Sequence, residues 1–379
     1  MPERLFDVIL PAGDVPGFDI DIPFGTGQRK FWSGDWLSKG YDGVRFIGAG
    51  VQHTHVYAAG HNGISILVDR HPGIVQLENL TLHAGYAKGV HFGIANRSVR
   101  PPPRFKLRMV GCHGIVPPPA VGQGRTKWLL FGYNSDVELI DCELDATHAS
   151  EHASYWHGFA KRGLLWERVK VIGSGAEGCK VRSDVAETAW VGKGVRVVVR
   201  NSEFKNWYQT WSDRGGAAIV MQGGAADIVV ESCLFWGGGS LGSLPASSRS
   251  KCIMVSSEGD SYDILTGRVG VGFGNGFVVV KNSAMRGGPG QENYTTILRV
   301  GQNGGTQQAA RGVLVENCGI WGQRMSLQFE KVPAGKIKVV GCNTPEIRSR
   351  SEALGMDTTH EAGIPTSSRV IPVSEGIAF

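Results

Sequence analysis

One phrase recurs along this chain and narrows what it can fold into. It reads "VELIDCEL" at Val137–Leu144, "IVVESCLFWGG" at Ile228–Gly238, "VVVKNSAMRGG" at Val278–Gly288 and "GVLVENCGIWG" at Gly312–Gly322. The consensus is apolar-x-apolar-x, then a turn residue (Asn, Asp, Gly or Ser), then Cys or Ser, then x-apolar. The position after the turn residue is filled by Leu80, Cys112, Cys142, Val169, Ser202, Cys233, Ser283, Cys318 and Cys342. Successive copies stand 32, 30, 27, 33, 31, 50, 35 and 24 residues apart. A second strand-like run follows most copies, among them "KWLLFGY" at Lys127, "GCKVRS" at Gly178, "AAIVMQ" at Ala217 and "KCIMVSS" at Lys251.

Short alternating strands at a near-constant period, with no amphipathic helices between them, describe a solenoid. A single rung cannot bury its own apolar face, whereas stacked rungs share a continuous core. The expected fold is therefore all-β: a right-handed parallel β-helix of about nine coils with an irregular C-terminal tail. The wavering period marks loops leaving the coil at its corners. The longest gap holds the excursion Gly237–Arg249. The boundaries read as 1–42 for an N-terminal cap and entry strands, 43–347 for the β-helix and 348–379 for a C-terminal arm. Asn79, Asp141, Asn201, Asn282 and Asn317 stand at the corners, where Asn and Asp tolerate left-handed backbone.

Composition agrees. Glycine, at 55 of 379 residues, is about twice its usual roughly 7%, which suits many tight turns and few helices. The chain is 41% hydrophobic and 19% charged, with a net charge of +5. That balance fits a globular chain and argues against a dedicated nucleic-acid binder, whose basic residues would cluster. No apolar run reaches the roughly 18 residues of a membrane span. The opening "MPERLFD" lacks the apolar core of a secretory signal.

Seven cysteines stand without CxxC pairs, so neither a zinc ribbon nor a full disulfide framework is indicated. Alternation turns Cys112, Cys142, Cys233, Cys318 and Cys342 inward as a buried column of small thiols. Redox pairs at Cys112/Cys142 or Cys318/Cys342, on neighbouring rungs, are the alternative. Parallel Cβ vectors disfavour the disulfide torsion.

The N-terminal phrases "VILPAGD" (Val8–Asp14), "GVRFIGAGVQHTHV" (Gly43–Val56) and "IVQLENLTLHAG" (Ile74–Gly85) resemble the pectin-lyase-like superfamily of β-helices. So does the rung pair from His152 to Asp184. The resemblance spans about residues 5–345 and implies the fold. The local signatures of that superfamily's pectate lyases, polygalacturonases and pectinesterases are missing, so it implies no activity.

Two groups of residues could carry glycan chemistry. Lys180, Arg182 and Asp184 alternate along "GCKVRSD", with His157 one rung earlier and Asp145 and Glu151 on the loop above. They are the candidate catalytic set for a lyase or a two-carboxylate hydrolase; a solvated β-face shows the same alternation. Trp156, Trp207 and Trp211 are candidate sugar-stacking residues, with packing of loops as the alternative. His148-x-x-Glu151-His152 matches an inverted zinc-protease motif. That motif needs a long helix and a third ligand, so no metal is expected. "GVGFGNGF" near Gly270 precedes no helix and is not a dinucleotide fingerprint. No cofactor is expected.

The functional expectation is a non-enzymatic structural β-helix: a virion component, capsid-decorating or tail-associated, able to adhere to surface polysaccharide. The runner-up is a polysaccharide lyase or glycoside hydrolase acting on an acidic glycan. The location expected is the virion or the extracellular space. The tail beyond Ile347 mixes Ser, Thr, Gly and Pro with isolated apolar residues. It is expected to dock as an arm on a neighbouring subunit through Val370, Ile371, Val373, Ile377 and Phe379, giving a homotrimer or a lattice with other virion proteins.

Overall fold

The structure, a computed structural model, describes most of residues 2–349. The longer segments outside that description are 23–28, 68–72, 93–104, 158–162, 183–195, 208–215, 239–250, 288–295 and 304–309, together with 350–379. The five C-terminal arm residues therefore lie outside the described residues. The chain is a parallel β-helix. Its three long sheets contain parallel neighbours throughout, and among the described residues the one α-helical element is the turn Gly34–Leu37. It forms two units, residues 1–175 and 176–379.

In residues 1–175 the first sheet stacks Leu5–Ile9, Gly43–Ile47, Ile74–Glu78, Lys106–Val110, Asp136–Ile140 and Gly163–Glu167. The second stacks Gly13–Pro16, Thr54–Tyr57, Thr81–His83, His113–Ile115, Glu143–Asp145 and Lys170–Ile172. The third runs from Arg29–Phe31 and Phe18–Ile20 through Asn62–Ile66, Lys88–Phe92 and Trp128–Tyr133 to His152–His157. Coiling starts at once, because Leu5–Ile9 pairs residue for residue with Gly43–Ile47. Trp36, on the helical turn, is fully buried.

In residues 176–379 the first sheet stacks Arg196–Arg200, Asp227–Glu231, Asn275–Lys281, Ala310–Glu316 and Ile337–Val340. The third sheet stacks Cys179–Arg182, Ala217–Gln222, Lys251–Glu258, Thr296–Asn303, Ser326–Phe329 and Glu346–Ser349. The second is built from Glu203–Lys205, Leu234–Gly238, Ala284–Gly287 and Gly319–Trp321. The glycine-rich stretch near Gly270 begins on an antiparallel hairpin, Asp260–Asp263 with Arg268–Val271, and ends on the first-sheet strand Asn275–Lys281.

The repeated phrase is the corner between the first and second sheets. Its turn residue adopts positive φ in every copy: Asn79, Gly111, Asp141, Arg168, Asn201, Ser232, Asn282, Asn317 and Gly341. This backbone favours Gly, Asn and Asp, which explains most of the column. Arg168 and Ser232 are the exceptions, and the Arg168 guanidinium bonds Asp141 in the equivalent corner through contacts of 2.6 and 3.0 Å.

The residue after each turn faces the core and is buried in each copy. The thiols are free. Each donates to the carbonyl two residues back: Cys112 to Val110 at 3.4 Å, Cys142 to Ile140 at 3.3 Å, Cys233 to Glu231 at 3.2 Å, Cys318 to Glu316 at 3.3 Å and Cys342 to Val340 at 3.4 Å. Ser202 and Ser283 repeat the contact to Arg200 and Lys281 at 2.8 and 2.9 Å. Cysteine and serine interchange because both are small donors able to satisfy a buried corner carbonyl. Burial pushes the Cys233 thiol up to about 12, and it likewise raises Cys112 and Cys252.

Candidate functional site

Of the sequence-derived catalytic candidates, Asp145 stands on the second sheet and His157, Lys180 and Arg182 on the third. His157 lies on a strand of the first unit, and Lys180, Arg182 and Asp184 belong to the second. The side chains of His157 and Arg182, and all of Asp184, fall outside the described residues. Asp145 lies on the second sheet and accepts the backbone N–H of Thr147 at 3.0 Å, an Asx turn that shapes the corner. Glu151 accepts the Trp128 indole N–H at 2.9 Å and has Lys127 at 3.6 Å. Each carboxylate thus holds local structure. The segment following Glu151 is strand His152–His157, so His148, Glu151 and His152 do not share a helix face.

The tryptophan expectation is corrected by burial. Trp156 is 0% and Trp207 1% exposed, so neither presents a ring face to a sugar. Both indoles fill the coil interior beside glycines. A Cβ at Gly132 would meet Trp156 at 2.8 Å, and one at Gly238 would meet Trp207 at 2.5 Å. Large inward rings require small neighbours on the adjoining rung. Trp211 lies outside the described residues.

Three other clusters emerge. In the second unit, the second-sheet strands Glu203–Lys205 and Leu234–Gly238 pair Lys205 with Trp236. Trp236 is 38% exposed. Its indole N–H donates to Glu203 at 3.0 Å, and the Lys205 ammonium stands 4.8 Å from the ring centroid and 2.7 Å from Glu203. The exposed indole is therefore held rigidly beside an acid and an ammonium.

In the first unit, Tyr57, 41% exposed, stacks on His83 at 4.1 Å with 8° between ring planes. His55 Nδ1 meets His83 Nε2 at 3.0 Å. Burial and the neighbouring His55 lower the His83 pKa, against the pull of Asp14. One ring donates and the other accepts in this contact; with both rings neutral, one outer nitrogen is left as acceptor and one N–H as donor.

The third cluster lies along the third sheet of residues 176–379. Lys251 is 7% exposed. Burial, reinforced by the Arg299 charge and opposed by Glu177, lowers its pKa to about 8. Lys180 Nζ stands 3.9 Å from Glu177 Oε1. Of this group only Lys180 is a sequence-derived candidate. Lys251, His55, Tyr57 and His83 become visible only once strand register shows which rows they share.

No protein-family model matches the chain, and no curated protein matches it. Among solved structures it is similar to the mannuronan C-5 epimerase AlgE4 A-module of Azotobacter vinelandii. The two are 12% identical over 91% of each chain, with a TM-score of 0.34. That likeness is too loose to place any residue of one on a residue of the other.

Proposed function

We propose that this chain is a non-enzymatic binding β-helix that holds a glycan against its second sheet. Trp236 carries the reading. An indole fixed by Glu203 and Lys205, with over a third of its surface exposed, combines an apolar surface for sugar C–H groups with charged heads for hydroxyls. This keeps the adhesive part of the sequence expectation and moves it from Trp156 and Trp207 to an exposed residue. Binding to a panel of neutral and acidic oligosaccharides tests it. Trp236→Ala is expected to weaken the best ligand at least about tenfold, the loss of roughly 1.4 kcal/mol, with an unchanged β-rich spectrum. Absence of binding across the panel, or equal binding by the variant, defeats the reading.

A second reading, a polysaccharide lyase acting on an acidic glycan, draws support from Lys251. An amine whose pKa lies near 8 is substantially neutral at mildly alkaline pH and can accept a proton. Arg299, whose charge reaches it, could neutralise a uronate. Unsaturated-uronate absorbance that appears with acidic polysaccharides and is lost in Lys251→Met would establish this reading over the first.

A further inference from the structure

In residues 176–349 the first sheet carries an outward row unlike a solvated β-face. Alternation turns Val197, Val199, Ile228, Val230, Val278 and Val280 inward, where all are fully buried. The residues between them point out. The central outward row runs Val198, Val229, Val279 and Leu314, joined in register from strand to strand, and ends on the exposed Lys338 of the last strand. The four aliphatic residues are half-buried. Phe277, in the adjoining outward row, is 54% exposed. Its ring lies over Gly312 of the next rung, where an added Cβ would approach it to 3.1 Å. The apolar surface is thus a continuous strip.

The flanks of the strip are charged but locally neutral. On one side Arg196 pairs with Asp227 at 3.2 Å, and on the other Lys281 pairs with Glu231 at 3.1 Å. An apolar centre with a balanced polar rim is the anatomy of a protein interface.

We propose that this strip is a self-association surface, and that its occupant is the same strip on a second copy of the chain. The repeat distance of the row selects a second copy. Side chains in the row recur once per rung, about every 4.8 Å. An extended peptide lying along the axis presents same-face side chains about every 6.7 Å, and drifts out of step within two residues. A second copy has the identical period, so knobs of one row fit the gaps of the other along its whole length. A closed assembly of like strips also satisfies the symmetry of homo-oligomers.

The test uses the full chain. Wild-type protein is expected to show a solution mass that is a multiple of 40.7 kDa across the micromolar range. Val279→Lys is expected to shift it to monomer with an unchanged melting temperature. Single Val229→Cys and Val279→Cys variants keep the test valid should the lysine variant fail to fold. Under mild oxidation, Val279→Cys alone cross-links in a parallel assembly. An equimolar mixture of the two variants gives a mixed 229–279 cross-link in an antiparallel one. The native thiols are buried and are not expected to compete. A monomeric wild type overturns the proposal. So does an oligomer that survives Val279→Lys and gives no cross-link from either cysteine, which would assign assembly to another surface such as the C-terminal segment.

Discussion

The first sheet reads differently in the two units at one and the same structural position. In residues 1–175 the central outward row is Asp7, Arg45, Gln76, Arg108 and Glu138, with Leu165 at its end. Arg45 grips Asp7 through bonds of 2.9 and 2.8 Å, and Arg108 bonds Glu138 at 2.7 Å and Gln76 at 3.3 Å. Lys106 adds a second cation to Glu138 at 2.6 Å. In residues 176–349 the same row is Val198, Val229, Val279 and Leu314, ending on Lys338. Inward rows are alike in both, with Val44, Phe46, Val75 and Leu77 in one and Val197, Val199, Ile228 and Val230 in the other. The interior of a rung determines that it stacks. The outward row is free to vary, and its chemistry reports whether water or protein covers it.

The largest expected effect breaks what the two units share. Cys233 is fully buried and donates to the Glu231 carbonyl. Cys233→Arg places an unpaired charge in the core and is expected to cost at least about 3–5 kcal/mol, seen as loss of the folded spectrum. Cys233→Ser keeps the donor, and should stay folded with a modest loss. If arginine is tolerated, the column is not the shared core.

Next comes the corner. Gly341 has φ +66, and an added Cβ would meet Asn317 Oδ1 at 2.3 Å. Gly341→Ala is expected to cost more than about 1 kcal/mol in urea unfolding, since both backbone strain and the stacked asparagine oppose it. Gly34, where an added Cβ meets nothing within 4 Å, is the control and should accept alanine with little change.

How much of this was legible in the sequence follows from the same division. Corner and core repeat at every rung, so nine copies of one phrase exposed the fold and the inward column. The reason for cysteine at that position was not legible, because the carbonyl it satisfies is identified only by three-dimensional geometry. Trp156 sits near the end of its strand and Trp207 two residues beyond one, where sequence does not tell an inward from an outward ring. Their glycine partners Gly132 and Gly238 lie in other strand runs, and register alone brings them together. The aliphatic outward row was hidden for a related reason. "RVVVR", "DIVVE" and "NGFVVVK" look like uniformly apolar strands until alternate valines are assigned to opposite faces.

The smallest expected effect sharpens the comparison through pH. Hydrogen bonds from Arg45 lower the Asp7 pKa. For Glu138, burial pushes upward, but the bonds from Lys106 and Arg108 outweigh it and the pKa is lowered. A carboxylate whose folded pKa lies below its unfolded value contributes stability above the unfolded value, about 4. That contribution is lost as pH falls through the folded one. The charged row should therefore weaken in acid. Arg108→Gln removes the guanidinium from the half-buried Glu138 and is expected to cost about 1 kcal/mol near neutral pH. The difference in melting temperature between wild type and this variant should shrink as pH falls below about 4, because protonated Glu138 no longer distinguishes them. Val279→Lys, on the aliphatic row, changes no carboxylate partner of this kind and should show no such convergence. A wild-type-to-Arg108→Gln difference that is constant from pH 7 to pH 3 would mean that Arg108 acts through packing of its stem, and that the row is a zipper in geometry alone.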